Sequence, residues 1–169
     1  MVRYSNMKRD KTVTCLDINH KKHKVNVSDL SFRPSVYGVL IEQGKILLSK
    51  QWSKGYDFPG GGVVIDETVE QALVREFWEE TGLTVKVGRL VECKSSFFVL
   101  PFGKRAVNSI LLYYTVKKTG GRLTAEHLDE DEKQYTEKAE WLDVSKVKDL
   151  VFYNSVESRE IIRKAQTGS

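Results

Sequence analysis

The sequence is poor in the residues that staple small folds or carry covalent chemistry. Its two cysteines, Cys15 and Cys93, lie far apart and form neither a CxxC pair nor a zinc-ligand set. Two buried, reduced thiols in a cytoplasmic protein are the expectation. The three histidines, His20, His23 and His127, read as surface residues, and none stands in a triad-like arrangement with a hydroxyl or thiol, so no covalent nucleophile is expected. Long apolar runs are absent: the longest mostly apolar run, Ile110–Val116, spans seven residues with Thr115 among them, whereas a membrane helix needs about 20. The polar start, Met1-Val-Arg-Tyr-Ser-Asn-Met-Lys-Arg-Asp, has no apolar stretch behind its charges, and no secretory signal is visible. There is no linker, internal repeat or low-complexity segment.

What is present fits an ordinary globular chain. The 169 residues are 40% hydrophobic, 10% aromatic and 30% charged, with a net charge of only +4, which disfavours disorder. A chain of this length buries roughly two-thirds of its unfolded surface without disulfides or a structural metal. Charge is unevenly placed. Gly61–Leu83 holds Asp66, Glu67, Glu70, Glu76, Glu79 and Glu80 against Arg75 alone, so the remainder is strongly basic. Basic residues are nevertheless scattered and not interleaved with aromatics, which argues against nucleic acid as the principal partner. Acidic clusters on a basic chain suggest metal ions held by carboxylates, with an anionic substrate attracted by the rest.

The pattern along the chain predicts an α+β fold. Thr12–Ile18 and His23–Val27 alternate around Asn19-His20-Lys21-Lys22 as a β-hairpin. Val36–Ile41 and Lys45–Leu48 flank Glu42-Gln43-Gly44 as a second hairpin. A breaker-rich loop follows from Trp52 through Gly62. Glu67–Thr81 predicts a helix, with Val69, Leu73 and Phe77 on one face beside Ala72 and with Gly82 as C-cap. Val85–Leu100 predicts an extended segment bent at Gly88. Ser109–Val116 predicts a buried strand ended by Gly120-Gly121. An acidic loop over Glu126–Gln134, a strand over Ala139–Leu142, and helices over Val144–Leu150 and Ser155–Ala165 complete an α/β/α sandwich around a mixed β-sheet.

On the predicted helix Glu76, Glu79 and Glu80 are three and four residues apart, which gathers three carboxylates on one side. Like charges at that spacing repel by a few tenths of a kcal/mol per pair. A solvated face is one reading; a divalent cation with hard oxygen ligands, such as Mg²⁺, is the other. Pro59-Gly60-Gly61-Gly62 just before the helix allows backbone to approach a ligand closely. Glu67, two helical turns before Arg75, can pair with it if the chain bends back at the helix start.

Gly61, five residues, Glu67, seven residues, then Arg75-Glu76-Phe77-Trp78-Glu79-Glu80-Thr81-Gly82-Leu83 resembles the Nudix box at every specified position. A chance match in a chain this long is roughly one in ten million at average residue abundances. The order of elements extends the resemblance to about Ser31–Ala165, leaving residues 1–30 as an N-terminal extension with a β-hairpin and 31–169 as a Nudix (MutT-like) hydrolase domain. The resemblance implies Mg²⁺-dependent hydrolysis, with Mn²⁺ a substitute, of a phosphoanhydride bond in a nucleoside diphosphate linked to a group X. Water would attack phosphorus. It implies Glu76, Glu79 and Glu80 as metal-binding glutamates, the Gly61 carbonyl as a further ligand, and Glu67 with Arg75 as a structural pair. The general base would be Glu76 or an acid before the last strand: Glu137, with Glu132 and Asp131 as rivals.

Candidates for substrate contact are Lys50 for a phosphate, with Arg33 and Arg105 beside it in kind. Tyr56, Phe58, Phe97, Phe98 and Phe102 are candidates for stacking on a base. Pro101 lies near where ADP-ribose-cleaving relatives carry a proline, but the offset does not match. The partner implied is a nucleotide-type small molecule, a nucleoside triphosphate by default, with a homodimer left open. The other readings are a silent nucleotide-binding or sensor domain on the same fold, against which the intact glutamates speak, and an isomerase of isoprenoid diphosphates, for which Cys93 cannot be placed near the metal.

Overall fold

The computed structural model describes residues 11–50, 55–100, 105–128, 133, 137–152 and 156–167. Trp52, Pro101, Phe102, Asp131, Glu132 and most of the acidic loop lie outside the described residues.

Among the described residues, eleven strands and two α-helices follow one another. β1 (Thr12–Leu16) and β2 (Lys22–Asn26) form an antiparallel hairpin. Its turn is tied by Asp17, whose Oδ1 accepts the amides of Asn19 and Lys21 at 2.9 and 3.0 Å. β3 (Leu30–Phe32), β4 (Ser35–Val39), β5 (Ile41–Glu42), β6 (Lys45–Lys50), β7 (Tyr56–Asp57) and β8 (Gly60–Gly62) lead to α1 (Val69–Thr81). The long strands β9 (Leu83–Val99) and β10 (Ala106–Gly121), then β11 (Glu140–Asp143), a 3-10 turn over Val144–Asp149 and α2 (Ser158–Thr167), complete the chain.

The larger sheet has the order β2-β1-β9-β10-β4-β8, with β3 also along β10. It is mixed: β3 and β4 run parallel to β10, β9 antiparallel. The smaller sheet is β11-β6-β5, with β7 also on β6. Alternation along the strands explains two cores. Val36, Leu40 and Leu47 face α1 and meet Leu73 and Phe77; Val39, Ile46 and Leu48 face the other way with Ile161 and Ile162 of α2. Helices therefore cover opposite faces, the α/β/α arrangement expected. Phe77 and Leu73 are fully buried, each worth about 1.5–3 kcal/mol. Gly38 is what lets α1 come this close, since a Cβ there would lie 2.7 Å from the Phe77 ring.

α1 starts two residues later than the periodicity suggests. Thr68 is the N-cap and exchanges side-chain bonds with Gln71 as a capping box, which leaves Glu67 outside the helix. Gly82 ends it at φ 72°.

The structure corrects three expectations. Val36–Ile41 is not one hairpin strand: β4 joins the larger sheet and β5 the smaller, because residues on both faces must be buried and the chain changes sheet at Leu40. The glycine-rich stretch is partly strand, since β8 pairs with β4. Gly60 lies at φ 146°, where a Cβ would be 2.7 Å from the Tyr37 Cα. Cys15 is buried as expected, but Cys93 is exposed, because it lies in the part of β9, from Arg89 to Ser95, where no side chain is fully covered.

Candidate active site

The acidic end of α1 is organised by one guanidinium. Arg75 donates from Nε and Nη2 to the two oxygens of Glu67 at 3.0 and 2.6 Å. Its Nη2 also reaches the Gly62 carbonyl at 3.1 Å. Its Nη1 donates to both Glu76 and Glu79 at 2.9 Å. Glu80 is held separately: Ser49 Oγ donates to Oε2 at 2.8 Å and the Gly60 amide at 3.3 Å. The repulsion expected among the glutamates is therefore offset by Arg75 for two of them and by β6 and β8 for the third. Glu76 and Glu80 are each 8% exposed, so these bonds are strengthened by partial exclusion of water.

The pairing with Arg75 holds the Glu67 carboxyl below its ordinary range, and Glu67 is the main reason the Arg75 guanidinium is pushed up. Gly61 lies against Glu76 so closely that a Cβ would be 2.5 Å from its Cδ. Gly62 is covered by the Arg33 guanidinium, whose Nη2 would be 2.6 Å from a Cβ.

Four oxygen donors, Glu76, Glu79, Glu80 and the Gly61 carbonyl, are the right chemistry for a hard divalent cation, and Gly61 forms a cradle that any side chain would fill. No three acidic, cysteine or histidine side chains among the described residues converge on one point in the present arrangement. Arg75 takes the cationic place beside Glu76 and Glu79.

The other candidates stand elsewhere. Lys50 pairs with Glu137 at 3.0 Å, and the Glu137 amide donates to the Lys50 carbonyl at 2.7 Å. That pairing pushes the Lys50 amine up. Tyr56 donates to Glu140 at 2.8 Å, and this bond is the main cause raising its phenol. Lys50, Tyr56, Glu137 and Glu140 thus form a second polar group. Strand alternation puts the Lys50 side chain on the face of β6 opposite Ser49 and therefore opposite Glu80. Phe58 is corrected: it is 1% exposed and packs edge-on against Tyr113 and stacked with Phe152, in the core and unable to meet a ligand. Phe97 is exposed on β9.

Sequence reasoning missed Ser49 and Tyr37. The alternation of Leu47 with Ser49 toward α1 was the available signal for Ser49. Tyr37 was hidden in an apolar strand. Burial is the main cause pushing its phenol far up, with Asp57, Glu80 and Glu76 adding and Arg33 opposing. It therefore stays a protonated donor at any physiological pH, within electrostatic reach of the box glutamates.

Comparison with known proteins places this architecture. The model of the NUDIX domain matches residues 31–165. An ADP-ribose pyrophosphatase of Methanocaldococcus jannaschii is 36% identical over 138 residues, which is 78% of this chain and 75% of that protein. An RNA pyrophosphohydrolase of Serratia proteamaculans is 34% identical over 84 residues, 48% of this chain and 47% of its own. A MutT-like protein of Streptomyces ambofaciens is 43% identical over 58 residues, 33% and 38% of the two. The matches thus span less than half the length of these last two relatives. Among solved structures, a MutT protein from Bacillus halodurans superposes with a TM-score of 0.61 at 22% identity, covering 78% of this chain and 80% of that one. A UDP-X diphosphatase does so at 0.59 and 16%, covering 80% and 62%. These two share the fold.

Proposed function

This chain belongs to the Nudix family, and from that membership we propose that it is a Mg²⁺-dependent hydrolase of a phosphoanhydride bond in a nucleoside diphosphate linked to a further group. The observation that carries this reading is the single Arg75 guanidinium that ties Glu67, Glu76 and Glu79 into one array against Gly61 and Gly62. A merely solvated glutamate face has no need of such an anchor. The relatives named as pyrophosphohydrolases and pyrophosphatases support the same reaction class.

Glu76, Glu79, Glu80 and the Gly61 carbonyl would hold the metal. When bound, Mg²⁺ supplies charge neutralisation for the phosphates and lowers the pKa of a coordinated water. The protein's own contribution is positioning. Glu67 fixes Arg75, and Arg75 sets the side-chain directions of Glu76 and Glu79. Ser49 and the Gly60 amide fix Glu80. Glu76 is the general base: the attacking water forms a new P–O bond, its proton passes to the Glu76 carboxylate, and the anhydride P–O bond breaks to release the leaving phosphate. Glu137 is the alternative base, and using it requires its carboxylate to leave Lys50. Lys50 and Tyr56 contribute to substrate contact from their separate polar group. The hairpin of β1 and β2 precedes the segment matched to the family and continues the larger sheet beside β9.

The test is turnover on a panel of nucleoside triphosphates, ADP-ribose, nucleotide sugars and dinucleoside polyphosphates, with products identified by mass. Activity that disappears with a chelator and returns with excess Mg²⁺ is expected. Chelator-insensitive hydrolysis overturns the metal assignment. Nucleotide binding without turnover on any substrate supports a sensor in place of an enzyme.

A further inference from the structure

We infer that the N-terminal hairpin builds a substrate subsite: the cavity it forms with the ends of β9 and β10 takes the uncharged, hydroxyl-bearing organic end of the diphosphate substrate. This rests on reading the chain as a Nudix hydrolase.

Two cavities lie in succession. The smaller, of about 90 Å³, is lined by Arg33, Ser35, Tyr37, Asp57 and Ser109 among others. It approaches the box through Arg33, whose guanidinium lies on Gly62. Its polar wall is connected: Arg33 Nη1 donates to Ser35 Oγ at 2.7 Å, and Ser35 Oγ is 3.4 Å from Ser109 Oγ. Leu100 lines this cavity and also the larger one, of about 620 Å³. That volume lies within the range of about 300–1,000 Å³ typical of small-molecule sites.

The larger cavity is walled by Asn19, His23, Lys24 and Asn26 of the hairpin, by Asp29, and by Arg105 beside β10. Every hairpin residue in it lies before position 31, outside the part of the chain matched to the family. The hairpin is fixed in place, since Leu16 of β1 pairs with Phe98 of β9 and β3 pairs with the start of β10.

The chemistry of the lining indicates which end of the substrate it takes. Lys24 and Arg105 are balanced by Asp17 and Asp29, and His23 is bonded to Asp17 at 2.7 Å. A polyphosphate chain would meet two carboxylates there. A nucleoside or glycosyl group would instead meet amides, carboxylates and cations that pair with hydroxyls and ring heteroatoms, over the apolar side chains of Val25, Val99 and Leu100. The phosphates then fall at Arg33 and the glutamates.

The test uses the full chain with Asn26→Trp, which fills the cavity from an exposed position, and Asn19→Ala with Lys24→Ala, which removes polar partners with little risk to folding. KM and kcat are measured on ADP-ribose and on ATP. A rise in KM of about tenfold or more, equivalent to 1.4 kcal/mol, with kcat kept, supports the subsite. If the rise is confined to ADP-ribose, the cavity holds the glycosyl end; if it is shared with ATP, the cavity holds the nucleoside. Unchanged KM in all variants overturns the inference, as does a loss confined to kcat on both substrates. Should the wild-type protein hydrolyse neither compound, the hydrolase reading is decided on the remaining nucleotide sugars and dinucleoside polyphosphates, and silence on all of them fails it independently of the cavity. The cavity is then judged by calorimetric binding of ADP-ribose to the wild-type and Asn26→Trp proteins, where equal affinity or no binding overturns it.

Discussion

Replacing Gly61 by alanine places a methyl group against the Glu76 carboxylate. The new Cβ would sit 2.5 Å from Cδ and 2.7 Å from Oε1, where ordinary contact begins at 3.4 Å. Glu76 cannot yield freely, because it is 8% exposed and bonded to Arg75 at 2.9 Å. The carboxylate, or the Gly61 carbonyl opposite it, must shift by about 1 Å, and a misplacement of that size can cost about 10²-fold in rate. The fold should tolerate the change. Gly61 is not among the glycines with positive φ, so alanine gains about 0.4–1 kcal/mol through the unfolded chain. That gain offsets part of a weakened bond to Arg75, and Tm should move by only a few degrees, at about 2–4 °C per kcal/mol. The assay is kcat and the half-saturating Mg²⁺ concentration, with Tm measured on the same sample. The expected result is a kcat lower by about 10²-fold, a raised Mg²⁺ requirement and a nearly unchanged Tm. Turnover within threefold of wild type at an unchanged Mg²⁺ requirement would refute the placement of a reacting centre between Gly61 and Glu76.

Further outcomes are expected. Glu79→Gln and Glu80→Gln should each lose about 10²-fold or more in rate with the fold intact, because glutamine keeps an oxygen for Arg75 or Ser49; near-wild-type turnover in both would remove these residues from the metal site. Glu76→Gln should cost far more in kcat than Glu137→Gln, and the reverse order would make Glu137 the base. Because Arg75 depresses the folded-state pKa of Glu67, the stability from this pair is complete above the unfolded value of about 4.3 and is lost as pH falls through the lower folded value. A Glu67→Gln protein should accordingly show a shallower fall of Tm below that pH than wild type, and parallel curves would show that the pair adds nothing. Phe58→Ala should destabilise by about 3–5 kcal/mol in thermal unfolding, whereas a ligand-stacking Phe58 would change KM with little effect on Tm.

The sequence alone determined the parts that depend on neighbours along the chain. The 3.6-residue period of Val69, Leu73 and Phe77, closed by Gly82, specifies α1. The same period puts Glu76, Glu79 and Glu80 on one side, because helix geometry is local. The alternation of Thr12–Leu16 and Lys22–Asn26 around a polar turn specifies the first hairpin for the same reason. Box spacing identified the family because each fixed identity in it constrains the next.

Only the tertiary structure decided which groups meet across the chain. Ser49 reaches Glu80 over 31 positions and Tyr56 reaches Glu140 over 84, and no periodicity encodes such pairs. Aromatic chemistry made Phe58 a plausible stacking residue, but two packed layers closed over it. Leu40 became the point where one apparent strand divides between two sheets, since both of its faces needed cover. The hairpin before position 31 had no visible role in the sequence. In the fold it lies beside the ends of β9 and β10, where the packing of distant strands leaves a volume and lines it with charges that cancel.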